Sequence, residues 1–202
     1  MVKNSLKSND HTVASFYVKR DIAYAGFERK LFMKSNLVLI GMPGAGKSTI
    51  GVILAKIIGY HFLDSDLVIQ ERENRLLHEI IASEGTEGFL EIENRINASL
   101  EVERTIIATG GSVVYGKEAM EHLKKIGNIV YLKADYETIQ KRLGNLEKRG
   151  VALKEGQSLK DLYEERTRLY EFYADVTVDE QGLGTEETIE AVLQKLRLQD
   201  GI

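Results

Sequence analysis

From Asn36 onward, short apolar runs alternate with longer stretches in which apolar residues recur every three or four positions. Short apolar runs are typical of strands buried on both faces, and the longer spacing is typical of amphipathic helices. The pattern predicts five strands, at Asn36–Gly41, Tyr60–Leu63, Thr105–Thr109, Asn128–Lys133 and Val176–Asp179. Helices are predicted at about 47–58, 67–83, 84–103, 117–126, 136–143, 159–174 and 185–198. This alternation predicts an α/β fold of three layers, with a five-stranded parallel sheet between two layers of helices.

Residues 1–34 do not continue this pattern. They contain isolated aromatic residues among Ser, Asn and Lys, and they are basic whereas the remainder of the chain is acidic. This composition favours a weakly ordered extension over a folded basic arm. We therefore expect an N-terminal extension at 1–34 and a single domain at 35–202.

Composition narrows the function classes. The chain of 202 residues has no cysteine, which excludes disulfides, and its four histidines are scattered, so a structural zinc site is not expected. A net charge of −4 does not favour nucleic acid as a partner. No apolar run is long enough for a membrane span or a signal peptide. We expect a cytoplasmic protein without a membrane or nucleic-acid partner.

A glycine-rich segment joins the first predicted strand to the first predicted helix. Gly41-Met-Pro-Gly-Ala-Gly-Lys-Ser48 matches the phosphate-loop pattern G-x4-G-K-[ST] in the structural context that the pattern requires. Lys47 is expected to reach the outer phosphates of ATP or GTP, and the Ser48 hydroxyl to bind Mg²⁺. The positive end of the following helix favours phosphate as well. The candidate nucleotide-binding residues here are Gly44, Ala45, Gly46, Lys47, Ser48 and Thr49.

Two acids follow the second predicted strand, and a glycine-rich turn follows the third. Because ligands bind at the carboxyl ends of parallel strands, Asp64, Asp66 and the segment Gly110–Ser112 are expected at the same edge of the sheet as the phosphate loop. One acid would support the Mg²⁺ shell while the other orients or deprotonates an acceptor hydroxyl. Aspartate is also a favoured helix N-cap, and both roles are compatible.

The segment 144–158 is polar and has glycines at its ends and centre. It is predicted to be a lid that closes over ATP and excludes water. Arg149, in its middle, is a candidate for contacting the transferring phosphoryl group, and Arg142, just before it, is a candidate for stacking on adenine. Ordinary solvated surface is the alternative for both arginines.

Arg166 lies in the long helix between Tyr163 and Tyr170, one turn from each. An arginine flanked by aromatic residues on one helix face is suited to recognising a carboxylate or a phosphate. This predicts a binding site for an anionic group of the acceptor.

Several motifs in order resemble the shikimate kinase family from Asn36 to the end of the chain. They are Gly41–Thr49, Phe62-Leu-Asp-Ser-Asp66, Ile107-Ala-Thr-Gly-Gly-Ser-Val-Val114, and Glu165-Arg-Thr-Arg-Leu-Tyr170 followed by Ala174-Asp175. The resemblance implies a nucleoside-monophosphate-kinase-like P-loop fold with a mobile lid. It also implies ATP- and Mg²⁺-dependent phosphorylation of a ring hydroxyl in aromatic amino acid biosynthesis, by a monomer. By position it implies catalytic roles for Lys47, Asp66 and Arg149, metal binding by Ser48 and Asp64, and substrate binding by Asp66, Gly110, Gly111 and Arg166.

Two positions depart from that family. Its Phe-Arg-x-x-Glu motif, whose arginine grips the substrate carboxylate, reads Phe89-Leu-Glu-Ile-Glu93, so that Leu90 stands in place of the arginine. The third glycine of its Gly-Gly-Gly motif is Ser112. Losing a charge-assisted contact to a carboxylate costs about 2–5 kcal/mol of binding. Leu90 therefore favours an acceptor that carries less charge.

Three functions stay open. The first is phosphorylation of shikimate or a similar small cyclic alcohol, the second is phosphorylation of a less acidic polyol, and the third is nucleotide binding without catalysis. A nucleoside monophosphate kinase would need several arginines on a common face between Asp66 and Arg104. Only Arg72, Arg75 and Arg95 occur there, without an evident common face.

Overall fold

A five-stranded parallel sheet forms the centre of the chain in the computed structural model, which describes residues 35–143 and 156–199. The strands lie in the order β2-β3-β1-β4-β5. Their bounds are β1 Asn36–Ile40, β2 His61–Asp64, β3 Thr105–Ala108, β4 Gly127–Lys133 and β5 Val176–Asp179. All four strand pairs are parallel. The predicted α/β class and the predicted five-stranded parallel sheet are confirmed.

The helices follow the strands as the sequence pattern predicts. They are α1 Lys47–Ile58, α2 Ser65–Glu73, α3 Leu77–Ala98, α4 Lys117–Ile126, α5 Tyr136–Leu143, α6 Leu159–Tyr173 and α7 Thr185–Gln199. One layer contains α1 and α7, which contact each other and the sheet, and the other layer includes α4 and α6. Since both faces of the central strand β1 are covered, its residues 37–40 are fully buried.

A buried asparagine stabilises the edge of the sheet opposite the phosphate loop. The Asn36 amide donates to the carbonyl oxygens of Val102 (2.7 Å) and Ile126 (3.1 Å), and its side-chain oxygen accepts from the Thr105 backbone N–H (3.0 Å). One side chain thus satisfies three backbone groups at the starts of neighbouring strands, which a buried polar group requires.

The two helices after β2 differ from their predicted bounds of 67–83 and 84–103. The first ends at Glu73 because Asn74 adopts a left-handed conformation (φ 50°), and the next is N-terminally capped where the Leu76 backbone N–H donates to the Glu79 carboxylate (2.7 Å). The element Leu77–Ala98 contains a kink at Gly85, whose φ of 72° and ψ of 179° are not helical, so its two helical parts meet close to the boundary predicted between 83 and 84. Local capping at 74–79 therefore outweighs the periodicity on which the prediction was based.

Two predicted regions lie outside the described residues: the extension at 1–34, and residues 144–155 of the predicted lid, including Arg149. The division at residue 34 and the lid therefore stay predictions. The lid's last residues are described, and they lead into α6, where Ser158 and Asp161 form reciprocal cap hydrogen bonds. Within the described ranges, no helix is long and apolar enough to cross a membrane.

Candidate active site

The phosphate loop has the backbone shape of an anion-binding turn. Gly44 and Gly46 adopt positive φ angles of 83° and 90°, which residues with a side chain rarely adopt, and α1 begins directly afterwards. The loop and the first turn of the helix therefore present backbone N–H groups at the positive end of the helix dipole. This geometry suits a phosphate group.

Lys47 is folded over the loop. Its Nζ donates to the carbonyl oxygens of Gly41 (2.8 Å) and Met42 (3.0 Å), and the side chain is buried. Burial lowers the pKa of Lys47 to about 8, although the carboxylates of Asp66 and Asp64 oppose that shift. An ammonium group held only by carbonyl dipoles gains stabilisation from an incoming phosphate.

Asp64 connects the phosphate loop to the start of α2. Its Oδ2 accepts from the Ser48 hydroxyl (2.7 Å), and its Oδ1 accepts from the Asp66 backbone N–H (3.0 Å). Asp64 is therefore a helix N-cap, and it also lies beside the predicted metal ligand Ser48, so its predicted metal role is compatible with the cap and stays a prediction. Two oxygen groups so close together suit Mg²⁺.

Asp66 lies on the first turn of α2 and lines the cavity beside the phosphate loop. Burial raises its pKa to about 6, and the nearby Asp64 carboxylate adds to the rise, while Lys47 opposes it. A carboxylate with a raised pKa is a better proton acceptor than an exposed aspartate, yet it is still largely ionised at neutral pH. Asp66 thus has the properties of a general base.

A cavity of about 370 Å³ gathers most of the predicted acceptor residues. Asp66 and Arg166 line it from two helices, and Gly110 and Gly111 line it from the turn after β3. The cavity also reaches the phosphate-loop residues Gly44, Gly46, Lys47, Ser48 and Thr49. Phosphate donor and acceptor groups therefore share one space, as direct transfer between them requires.

Arg166 is buried against an aromatic ring, although not one that the sequence pattern indicated. Its guanidinium lies 5.3 Å from the centre of the Tyr115 ring, and its Nε is 3.4 Å from the Tyr115 hydroxyl. Tyr163 donates to the Ala134 carbonyl and Tyr170 to the Gly111 carbonyl (2.6 Å) instead. The short helical turn Val113–Tyr115 brings Tyr115 to Arg166, and helix periodicity alone does not reveal such a contact.

Gly111 is the point where the acceptor turn touches the phosphate loop. A Cβ added there would come within 2.6 Å of Pro43 Cδ and 3.2 Å of an Arg166 guanidinium nitrogen. Tyr170 fixes the same residue by its hydrogen bond to the Gly111 carbonyl. Only glycine allows the two loops to pack this closely.

A second cavity, of about 330 Å³, extends from the other side of the phosphate loop to the turn after β5. Arg142 lines it and donates to the Gly44 carbonyl (3.1 Å), and Ala45 and Thr49 also line it. Sequence reasoning missed Glu180, which lines this cavity too and whose pKa burial raises to about 7. The cavity is continuous with the phosphate-binding residues, so it suits the nucleoside part of ATP.

Leu90 does not line the acceptor cavity. It packs against a cluster between α2 and α3 that contains Ile69, Ile80, Phe89 and Ile96. The three arginines of this region do not replace the missing cation either. Arg75 and Arg95 form ion pairs with Glu73, and Arg72 donates to Ser99. The arginine clamp that a second phosphate would need is therefore not assembled by these residues.

Glu93 and Ser112 are buried beside the acceptor cavity, and the sequence analysis placed both within family motifs without predicting a binding or catalytic role for either. Ser112 lines the cavity, whereas Glu93 lies behind Gly110. The motif identifies Glu93 but not its burial, because helix periodicity does not separate a buried carboxyl from an exposed one.

The residues present fit ATP and Mg²⁺. The loop offers backbone N–H groups, Lys47 a cation, and Ser48 with Asp64 two hard oxygen ligands of the kind that Mg²⁺ prefers. Within residues 35–143 and 156–199, no group of three or more acidic or histidine side chains is placed to hold a metal. Mg²⁺ commonly completes its shell with phosphate and water in kinases, and this site is consistent with that arrangement.

Comparisons with known proteins agree with this site. A family model described as shikimate kinase matches residues 43–197. The shikimate kinase of Thermodesulfovibrio yellowstonii is 37% identical over 170 residues, which cover 82% of this chain and 98% of that protein. The shikimate kinase of Haemophilus influenzae is 39% identical over 154 residues, which cover 73% and 86%.

A solved structure extends the likeness to three dimensions. The shikimate kinase from Acinetobacter baumannii in complex with shikimate matches with a TM-score of 0.75 and 30% identity, over 88% of this chain and 98% of that chain. These matches establish that the chain is a small-molecule kinase that uses ATP and Mg²⁺. The alternative of a non-catalytic nucleotide-binding module is therefore excluded. This chain belongs to the shikimate kinase family.

Proposed function

We propose that this enzyme transfers the γ-phosphoryl group of ATP to a hydroxyl of shikimate or of a similar small cyclic alcohol. The supporting observation is that Lys47, Asp66 and Arg166 line one cavity together with Gly110 and Gly111. A related kinase was solved in complex with shikimate, which adds support for the acceptor class.

Different residues of the chain carry out different parts of the proposed reaction. Asp66 orients the acceptor hydroxyl and takes its proton, and Lys47 stabilises the negative charge on the transferring phosphoryl group. Ser48 and Asp64 would hold Mg²⁺, which when bound would neutralise charge on the phosphates. Arg149, which lies outside the described residues, is proposed to contact the phosphoryl group, and Arg142 is proposed to stack on the base. The roles of these six residues are all part of the proposal.

Arg166 recognises the anionic group of the acceptor in this proposal. It is buried beside Tyr115 and lines the cavity, so that its charge is shielded from water and lies where it would meet the carboxylate of a bound acceptor. A less acidic polyol is the second candidate acceptor, favoured by Leu90, because no second cation from this helix faces the cavity.

A coupled assay of ADP release tests the acceptor. Shikimate, quinate, gluconate and neutral polyols are compared at the same ATP and Mg²⁺ concentrations. Turnover of shikimate with a KM in the low-millimolar range or below supports the first candidate. Turnover of a neutral polyol with shikimate inactive supports the second, and release of ADP with none of them contradicts the proposal.

The oligomeric state and the compartment are further proposals. We expect a monomer that acts in the cytoplasm on a small molecule, without a nucleic-acid partner. Light scattering of the purified chain checks the first expectation, and fractionation of the source cells checks the second.

A further inference from the structure

Glu93 on α3 is a buried carboxyl that the proposed reaction does not use. Its side chain is only 1% exposed, and neither carboxyl oxygen has a hydrogen-bond partner among the described residues. An ionised carboxyl in such a place is strongly destabilising unless a cation or a hydrogen-bond donor accompanies it. Glu93 therefore needs either a partner or a proton.

Glu93 lies directly behind the wall of the acceptor cavity. A Cβ added to Gly110 would overlap Oε1 of Glu93 and would come within 2.7 Å of Oδ1 of Asp66. The two carboxyl groups thus face the same glycine, and the backbone of that glycine lines the cavity. Whether Glu93 is charged or neutral therefore changes the electrostatic potential at the acceptor across a single residue.

The groups around Glu93 come from four elements. Asp66 faces it from α2, Lys47 from α1, Arg166 from α6, and the Ser112 hydroxyl from the turn after β3. Burial, followed by the Asp66 charge, raises the pKa of Glu93 to about 8, and Ser112, Arg166 and Lys47 lower it less. Ser112 is close enough to act on the carboxyl, although it is outside hydrogen-bonding geometry.

Both departures from the family pattern border on this carboxyl. Leu90 precedes Glu93 by three residues in a helix, so the two positions share a face, and a cation at position 90 would lie one turn from the carboxyl. Ser112 places a hydroxyl beside it where the family pattern has a glycine. One departure removes a cation from the surroundings of Glu93, and the other adds a polar neighbour.

We propose that Glu93 is a specificity-determining residue that this enzyme uses as a neutral acid. With Ser112 beside it, the neutral carboxyl leaves no negative charge behind Gly110 and therefore needs no paired cation at position 90. Arg166 then recognises the charged group of the acceptor, because Lys47, the other described cation that lines the cavity, is held at the phosphate loop. The effect of Glu93 on acceptor specificity rests on the proposed phosphoryl transfer, but the protonation state of Glu93 can be tested without that proposal.

The first experiment measures thermal unfolding against pH for the wild type and Glu93→Gln. The folded pKa lies above the ordinary value of 4.5, so the stabilisation is fully present below pH 4.5 and is lost as the pH rises through about 8. The amide does not ionise. The Tm of Glu93→Gln relative to the wild type should therefore rise by at least about 5 °C between pH 5 and pH 9.

Glu87→Gln is the matched control, because Glu87 is exposed on the same helix. Its Tm difference from the wild type should stay constant over that range. A constant difference for Glu93→Gln as well would overturn the inference. Should Glu93→Gln not fold, Leu90→Arg supplies a cation one turn away and should flatten the pH dependence of the wild-type Tm, whereas Leu90→Met should not. An unchanged pH dependence in Leu90→Arg overturns the inference equally.

The second experiment compares shikimate with its uncharged methyl ester as acceptors at pH 7. The preference for the carboxylate, as a ratio of kcat/KM values, should rise at least about tenfold in Leu90→Arg. It should stay unchanged in Glu93→Gln, where an amide replaces a neutral acid. An unchanged ratio in Leu90→Arg contradicts the inference. If the wild type turns over neither acceptor, the proposed function fails, and the unfolding series still decides the state of Glu93.

Discussion

The phosphate loop and the acceptor cavity lie side by side but are built in opposite ways. The loop consists of contiguous residues, Gly41 to Thr49, and most of its binding groups are backbone N–H groups and one lysine. The acceptor cavity takes single side chains from α2, α3, α6 and the turn after β3. The first is therefore encoded in a short sequence pattern, whereas the second exists only once distant elements pack together.

The two regions also differ in charge. On the donor side, Lys47 is held by two neutral carbonyl groups and receives the charge of a nucleotide. Around the acceptor cavity, Asp66 and Glu93 face Gly110, and Arg166 lies beside the neighbouring Gly111. A change in the donor region should therefore disturb every reaction of the enzyme, and a change in the acceptor region should alter the choice of substrate.

Asp66→Asn should have the largest effect. The amide cannot take the hydroxyl proton, so kcat should fall by about 10²- to 10⁴-fold, while the Kd for ATP stays nearly the same. Coupled assays and equilibrium nucleotide binding measure the two quantities. Glu71→Gln, at an exposed position of the same helix, is the control. Full activity in Asp66→Asn would reduce Asp66 to a structural residue.

Lys47→Ala should weaken ATP binding by at least about 100-fold, because a buried charge that meets phosphate is removed. Isothermal titration with ATP and Mg²⁺ measures this loss. Lys56→Ala, on an exposed face of the same helix, should bind ATP normally. Equal affinity in Lys47→Ala and the wild type would contradict the phosphate-loop assignment.

Leu90→Arg tests whether a change beside the acceptor cavity alters substrate preference without affecting ATP binding. Restoring a cation one turn from Glu93 should raise kcat/KM for shikimate by about tenfold or more, mainly through a lower KM. The Kd for ATP should not change. Glu87→Arg adds the same charge at an exposed position and should leave both values unchanged. A loss of ATP affinity in Leu90→Arg would show that the two regions are not independent.

The pH dependence of kcat/KM should reflect one titrating group from each region, Asp66 beside the acceptor and Lys47 beside the phosphate donor. Below about pH 6 Asp66 is protonated and cannot accept the hydroxyl proton, and above about pH 8 Lys47 loses the charge that attracts phosphate. A bell-shaped profile between these values is expected for the free enzyme, with apparent pKa values that belong to the coupled set. Activity that stays constant from pH 5 to pH 9 would contradict this account.

Tyr170→Phe should have the smallest effect. It removes the hydrogen bond to the Gly111 carbonyl, which costs about 1 kcal/mol of stability, and loosens the turn that contacts Pro43. The KM for the acceptor should rise a few-fold while ATP binding is unaffected. Tyr163→Phe removes a hydrogen bond to Ala134 and is the matched control, with a similar loss of stability and an unchanged KM.

The predicted and observed elements agree where periodicity and glycine signals coincide. The helices 47–58, 117–126 and 136–143 have the predicted bounds. The region 65–98 does not, because Asn74 in a left-handed conformation and the cap at Glu79 set the helix ends there. A left-handed asparagine has no periodic signature, so the sequence pattern did not indicate it.

By itself, the sequence determined the order of strands and helices, the phosphate loop and the pair of acids after β2. Each depends on interactions between near neighbours in the chain, which a local pattern records. Only the tertiary structure decided that Tyr115 meets Arg166, that Leu90 packs between two helices, and that Glu93 is buried behind Gly110. These contacts join residues that are distant in sequence, and the burial that shifts the pKa of Glu93 exists only after the helices have packed.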